Sequence, residues 1–278
     1  MTALLALVAA VFYGSTDFLG GFISKRAPAV SVAVMSQVAG LPMLALLLFV
    51  VPTDGATFAE VGWGAAGGLF GGLGVVALYA GHAGGQMAVV APLAGLIGAG
   101  LPVVYSLLTG EWPQAITLIG IALALVAIPG LASGAEKGGG GGSLSAVSLA
   151  VVAGSAFGLF FIFYSFTAEG SGMWPLLGAR VVSVPTLYLI ARQWQASLRF
   201  RGRTRNMVVV TGVLDMAANA LMLLALQRGP LAMAATLISL YPGFTVVLAR
   251  LVLRERLSAL QRASVALALV AIVLITVP

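Results

Sequence analysis

Apolar residues run through this chain in long unbroken stretches rather than in alternating or heptad patterns, and short segments between them hold nearly all of the charge. Ten stretches stand out, approximately Ala3–Ile23, Pro28–Val51, Val61–Gly81, Met87–Leu108, Pro113–Leu131, Ser145–Phe166, Met173–Ala191, Met207–Leu226, Leu231–Leu253 and Ala259–Val277. About 20 residues at 1.5 Å rise cross a hydrocarbon core of about 30 Å. Lipid offers the backbone no hydrogen-bond partner, so each stretch is predicted to be a helix. The first lacks a basic leading segment and continues well past the core of a signal peptide, so it reads as a retained span.

The pattern also repeats. Ala88–Glu111 (AVVAPLAGLIGAGLPVVYSLLTGE) is echoed by Ala232–Glu255 (AMAATLISLYPGFTVVLARLVLRE), at an offset of 144 (232 − 88 and 255 − 111). Weak internal symmetry in a very apolar chain is a signature of membrane transporters built from two repeats around a midplane site. Five spans per half is an odd number, so matching spans must run in opposite directions. The expected fold is an all-α integral membrane protein of ten transmembrane helices arranged as two inverted five-helix repeats, at residues 1–133 and 145–278. Residues 134–144, which contain Gly134–Ser143 (GAEKGGGGGS), read as a glycine-rich linker. A phosphate-binding loop would need a Lys-Ser/Thr after the glycines, and there is none.

Composition agrees: 60% of residues are hydrophobic and 8% charged, against roughly 25% charged in soluble domains. There is no cysteine, which excludes disulfides, thiolate chemistry and cysteine-ligated metals. No cofactor is expected. The net charge of +6 would suit nucleic acid if the basic residues were scattered over a surface, but they fall on one side of the predicted topology. With the N-terminus outside, Lys25, Arg26, Lys137, Arg192, Arg199, Arg201, Arg203, Arg205, Arg250, Arg254, Arg256 and Arg262 face the cytoplasm, leaving only Arg180 and Arg228 elsewhere. Both termini are therefore expected outside, and the Arg199–Arg205 run reads as a topology determinant touching anionic lipid headgroups rather than a nucleic-acid site.

The repeated segment, with small residues and Pro or Thr, then Leu, Pro and a terminal Leu-x-Glu, resembles the signature of the drug/metabolite transporter superfamily, in particular its ten-helix EamA-type exporters. The second copy carries the better match, at Ser239-Leu240-Tyr241-Pro242, Thr245 and Leu253-Arg254-Glu255-Arg256-Leu257. The first departs from it, with Pro92 and Pro102 where the second has Thr236 and Val246, and with the ending Gly110-Glu111-Trp112. The resemblance implies a multi-pass protein of a bacterial-type plasma or inner membrane that exports amino acids, nucleotide-like metabolites or drugs.

Ionisable groups inside spans cost at least ~2.5 kcal/mol each, so they usually face a cavity or a partner. Asp17, Arg180 and Asp215 lie within spans, and His82 lies at the end of the third. Thr211, Asp215 and Asn219 recur at i, i+4, i+8 and share one helix face. Two readings of Asp215 stand: a substrate or proton site, or a structural pair with Arg180. Asp17 reads as a proton carrier or as a structural partner of Lys25 or His82. His82, the sole histidine, suits proton coupling by its ordinary titration range or is simply interfacial. Phe157, Phe161 and Tyr164 put one aromatic face on the sixth span, for stacking on a substrate or for packing. Trp63, Trp112, Trp174 and Trp194 fall near span ends, as an interfacial belt would place them. Gly64, Gly67, Gly68, Gly71 and Gly72 form a small-residue ridge on the third span that allows close helix approach.

The function expected is secondary transport of a small metabolite, an amino acid or a similar solute, by alternating access. Arg180, Asn219, Tyr13, Tyr79, Phe161 and Tyr164 are the candidate substrate-binding residues, and Asp17, Asp215 and His82 the candidates for proton coupling. The expected partners are a small-molecule substrate, protons and membrane lipids, with no nucleic acid, and the chain is expected to be a monomer or homodimer. Multidrug or cation efflux, an uncoupled channel and a lipid flippase are the alternatives. An intramembrane aspartyl protease would use paired aspartates, but the surroundings of Asp17 and Asp215 do not reproduce its motifs, so no enzyme is expected.

Overall fold

The computed structural model describes residues 1–83, 87–132, 144–253 and 258–276. These residues form α1 (Thr2–Ser24), α2 (Ala29–Val50), α3 (Phe58–Ala83), α4 (Met87–Leu108), α5 (Ala115–Ala132), α6 (Leu144–Ser165), α7 (Trp174–Gln193), α8 (Gly202–Gln227), α9 (Leu231–Ile238), α10 (Tyr241–Leu253) and α11 (Ala259–Thr276). A single 3-10 turn at Glu169–Ser171 precedes α7. Among the described residues, α1, α2, α3, α7, α8 and the Val147–Ser165 part of α6 are long and apolar enough to cross a membrane, and Leu93–Leu108 and Ala115–Gly130 are shorter apolar helices. The chain is a membrane protein, and its outward faces carry exposed Phe49, Val181, Leu189 and Val273 as lipid requires. The linker and the Arg254–Leu257 end of the signature, Glu255 included, lie outside the described residues.

One expectation needs correcting. The ninth stretch is not a single helix: it stops at Ile238 and restarts at Tyr241. Pro242 has no backbone N–H to return to the carbonyl of Ile238, and its ring crowds that same carbonyl. The matching position of the first half is Gly98, and α4 runs through it unbroken.

Glycine governs how closely α3 meets its neighbours. On one face Gly64, Gly68 and Gly72 lie against Pro175, Ala179 and Ser183 of α7; on the other Gly67, Gly71 and Gly74 lie against Tyr164, Phe160 and Phe157 of α6. A methyl group on Gly68 would overlap the backbone of Ala179. In lipid there is little hydrophobic gain between helices, so such close van der Waals packing supplies much of the association. Gly212 of α8 sits equally close to the backbone of Ser36 on α2. Gly14 of α1 meets Phe244 and Thr245 of α10, and Gly158 of α6 meets Leu101 of α4. The dominant helix contacts are α3 with α6 and α7, α8 with α1 and α2, α4 with α6, α1 with α10, and α5 with α11.

At one end of the bundle, loops from both halves are tied together. The N–H of Asp54 donates to the carbonyl of Gly170 (2.9 Å), and the Thr53 hydroxyl donates to the same oxygen (3.0 Å). Gln227 donates to Thr167 (3.1 Å) and Ser171 (3.0 Å), and Arg228 pairs with Glu169 at 2.8 Å. The Thr2 hydroxyl reaches the carbonyl of Arg228 at 2.9 Å. The α3 start is closed by a reciprocal cap, in which the N–H of Thr57 donates to Glu60 (2.6 Å) and the N–H of Glu60 to the Thr57 hydroxyl (3.3 Å).

Candidate functional site

Between α1, α2, α3, α6, α7, α8 and the α9–α10 break lies a cavity with about 660 Å³ of space not filled by atoms. Each wall follows from a helical register. On α1 the positions Tyr13, Thr16 and Asp17 recur at i, i+3, i+4 and turn inward together; on α6 Phe157, Phe160, Phe161 and Tyr164 do the same. Asp215 and Asn219 present one face of α8, Arg180 projects from α7 and Tyr79 from α3. The glycines Gly68, Gly71 and Gly72 leave the α3 wall flat.

Arg180 and Asp215 form an ion pair, Nη2 to Oδ2 at 2.6 Å, with side chains 8% and 18% exposed. The Nε of Arg180 is buried and has no acceptor. Asn219 donates to the backbone oxygen of Asp215 at 2.7 Å, which fixes its amide beside the pair. On α1, the helix packed against α8, Asp17 is 7% exposed and makes no hydrogen bond or ion pair with any described residue. The hydroxyls of Tyr13, Tyr164 and Tyr241 are buried without partners, while that of Tyr79 donates to the carbonyl of Thr16 at 3.4 Å. The cavity therefore has an aromatic wall, one charge pair, one isolated carboxylate and a set of hydroxyls with unused hydrogen-bonding capacity.

Eight of the nine residues singled out in the sequence line this space: Tyr13, Asp17, Tyr79, Phe161, Tyr164, Arg180, Asp215 and Asn219. His82 does not. It stands three residues beyond Tyr79, the last α3 position on the cavity wall, and is 1% exposed with neither ring nitrogen hydrogen-bonded. Thr211, on the same stripe as Asp215, turns its hydroxyl to the carbonyl of Met207 (2.8 Å) and is not a lining residue. Sequence reasoning passed over Thr16, Gln37 and Tyr241, which line the cavity. Gln37 carried a usable signal, being an amide in mid-span; it accepts a hydrogen bond from Ser183 at 2.6 Å and so joins α2 to α7.

A bundle of apolar helices around a mixed polar and aromatic pocket is an arrangement that suits a membrane transporter of small solutes. Residues 144–277 match the EamA-like transporter family, so the second half of the chain is an EamA-like domain of the drug/metabolite transporter superfamily. Members of that family are generally not enzymes. A solved structure described only as "Crystal structure of protein" has the same fold, with a TM-score of 0.75 at 16% identity over 99% of this chain and 96% of the other. No curated protein matches the chain.

Proposed function

We propose that this protein is a secondary transporter that exports a small ammonium-bearing metabolite, an amino acid or a similar solute, by alternating access in exchange for protons. The observation that carries this reading is Asp17, a buried carboxylate on the cavity wall with no ion-pair partner among the described residues. An uncompensated buried charge costs several kcal/mol, and either a proton or the ammonium group of a solute removes that cost. The two exclude one another at a single carboxylate, which is the requirement for exchange. Arg180 offers its guanidinium to the carboxylate of a zwitterion, the amide of Asn219 is held beside it by the backbone oxygen of Asp215, and Tyr13, Tyr79, Phe161 and Tyr164 surround the apolar part. Asp215 holds the Arg180 guanidinium in place, and His82, away from the cavity, takes no part in the exchange.

Several packing features support an inverted repeat of five helices in each half. Exchanging each span for its counterpart turns the contacts of α3 with α6 and α7 into those of α8 with α1 and α2, and α4 with α6 into α10 with α1. Gly14 and Gly158 are 144 apart, as are their neighbours Leu101 and Thr245 (158 − 14 and 245 − 101). Both termini outside and transport outward are the orientation and direction favoured by the loop charges and the family, respectively. The hydrogen-bonded loops at residues 53–54, 167–171 and 227–228 would part when the cavity opens at that end.

A second reading, efflux of organic cations, is favoured by one observation: with Arg180 neutralised by Asp215, the isolated Asp17 leaves the cavity one negative charge over. Proteoliposome flux under an imposed pH gradient separates the two. Gradient-driven, saturable flux of an amino acid should lose its pH dependence in Asp17→Asn, and Arg180→Gln should lower flux of the amino acid but not of its amide. Equal effects of Arg180→Gln on both would favour the cation reading. Flux indifferent to the gradient in wild type would leave an uncoupled channel or a lipid flippase.

A further inference from the structure

Away from the transport cavity, a second space of about 1240 Å³ opens on the bundle surface between the end of α1 and the start of α8. Its floor is apolar, made of Phe18, Leu19, Phe22 and Ile23 from α1 and Met207 from α8, and its rim holds Arg26, Arg203 and Thr204. Phe18, Phe22 and Arg26 stand at i, i+4, i+8. The two rings are 6.5 Å apart, and the Arg26 guanidinium lies 5.9 Å from the centre of the Phe22 ring. The groove thus runs about 12 Å from a charged end to an apolar end, at 1.5 Å per helical residue. Among the described residues, no acidic side chain lines it and neither arginine has an ion pair.

We propose that this groove binds one anionic phospholipid, its phosphate held between Arg26 and Arg203 and an acyl chain laid along Phe18, Leu19, Ile23 and Met207. Two guanidinium groups on one side of a phosphate can each donate in a fork, a geometry a point charge does not supply. The Thr204 hydroxyl is placed at the same rim for a third hydrogen bond. This differs from the diffuse attraction of a basic loop to a charged membrane, which depends on the number of charges and not on which arginines carry them. Asp17 sits beside Phe18 in sequence but about 100° around α1 from it, facing the transport cavity, so occupancy of the groove does not obstruct the transport site.

The test uses the full chain in detergent, with native mass spectrometry of lipid retained after adding phosphatidylglycerol or phosphatidylcholine. Wild type should hold one phosphatidylglycerol in preference to phosphatidylcholine. Each of Arg26→Gln and Arg203→Gln should weaken that retention about fivefold, and the double variant roughly 30-fold, from the worth of one basic residue near a lipid surface. Arg199→Gln/Arg205→Gln removes the same charge from the same loop region, outside the groove, and should retain the lipid as wild type does. Equal losses in the two double variants would overturn the site in favour of general charge attraction. Displacement of the lipid by glycerol phosphate at equal concentration would overturn the acyl part.

Discussion

Replacing Asp215 by Asn removes the only carboxylate that touches Arg180 among the described residues, at 2.6 Å, while leaving shape nearly unchanged. The guanidinium stays 8% exposed with its Nε already lacking an acceptor. Breaking a buried ion pair on one side costs about 3–5 kcal/mol, because a buried charge is left uncompensated. Asp215 is 18% exposed and faces a cavity, which places the expected loss near the lower bound, about 3 kcal/mol. Arg180→Gln should cost a similar amount. The double variant carries neither charge, so it should recover to within about 1 kcal/mol of either single variant rather than reach their sum, giving a coupling of roughly 2 kcal/mol or more. A double-mutant cycle from reversible unfolding in mixed detergent and lipid micelles measures that coupling. Additive losses, or single variants within about 0.5 kcal/mol of wild type, would refute the idea that these two charges depend on one another.

Other expectations follow from packing and caps. Gly68→Val should destabilise by about 3 kcal/mol, the upper end for overpacking, because the obstacle is the Ala179 backbone; Gly100→Ala, with nothing within 4 Å of its new methyl, should be neutral or stabilising by up to about 1 kcal/mol on the same unfolding assay. Pro242→Ala restores a donor to the Ile238 carbonyl, so α9 and α10 should join, the amide at 242 should gain protection in hydrogen exchange, and flux should fall as Ile238 and Tyr241 leave the cavity wall. Thr57→Ala removes half of the reciprocal cap at the start of α3 and should cost about 1 kcal/mol, with Glu60→Ala costing a similar amount by the same measurement.

Helix positions were readable in the sequence because lipid leaves the backbone a single regular solution, so a run of apolar residues fixes its own structure. The glycine ridge of α3 was equally legible, since five small residues at i, i+3, i+4 spacings have one use in a span; that they serve two faces at once, α6 and α7, needed the three-dimensional packing. The charged part of the cavity lining was found from cost alone: charged or polar groups in mid-span go inward, and Tyr13, Asp17, Arg180, Asp215 and Asn219 did so. The pairing of Arg180 with Asp215 stood as one of two alternatives, because the sequence sets the turn of each helix but not which faces of α7 and α8 meet. His82 shows the limit of the same rule: polarity near a span end says nothing about depth, and one turn separates it from the wall at Tyr79. The break at Ser239–Leu240 was hidden by unbroken apolarity. Pro242 removes one backbone hydrogen bond, and only the local geometry turns that into two helices. Gln37 and Thr16 escaped because they are uncharged and each satisfies part of its hydrogen bonding within the bundle.

The absence of native cysteine makes one measurement especially direct. Val75, on the cavity wall and outside the charged groups, can be replaced by cysteine and exposed to a membrane-impermeant thiol reagent from either face of sealed vesicles. A cavity that opens alternately to the two sides predicts labelling from both faces, with a transported solute slowing both reactions. Labelling from one face alone, unchanged by any solute or pH gradient, would contradict alternating access through this cavity.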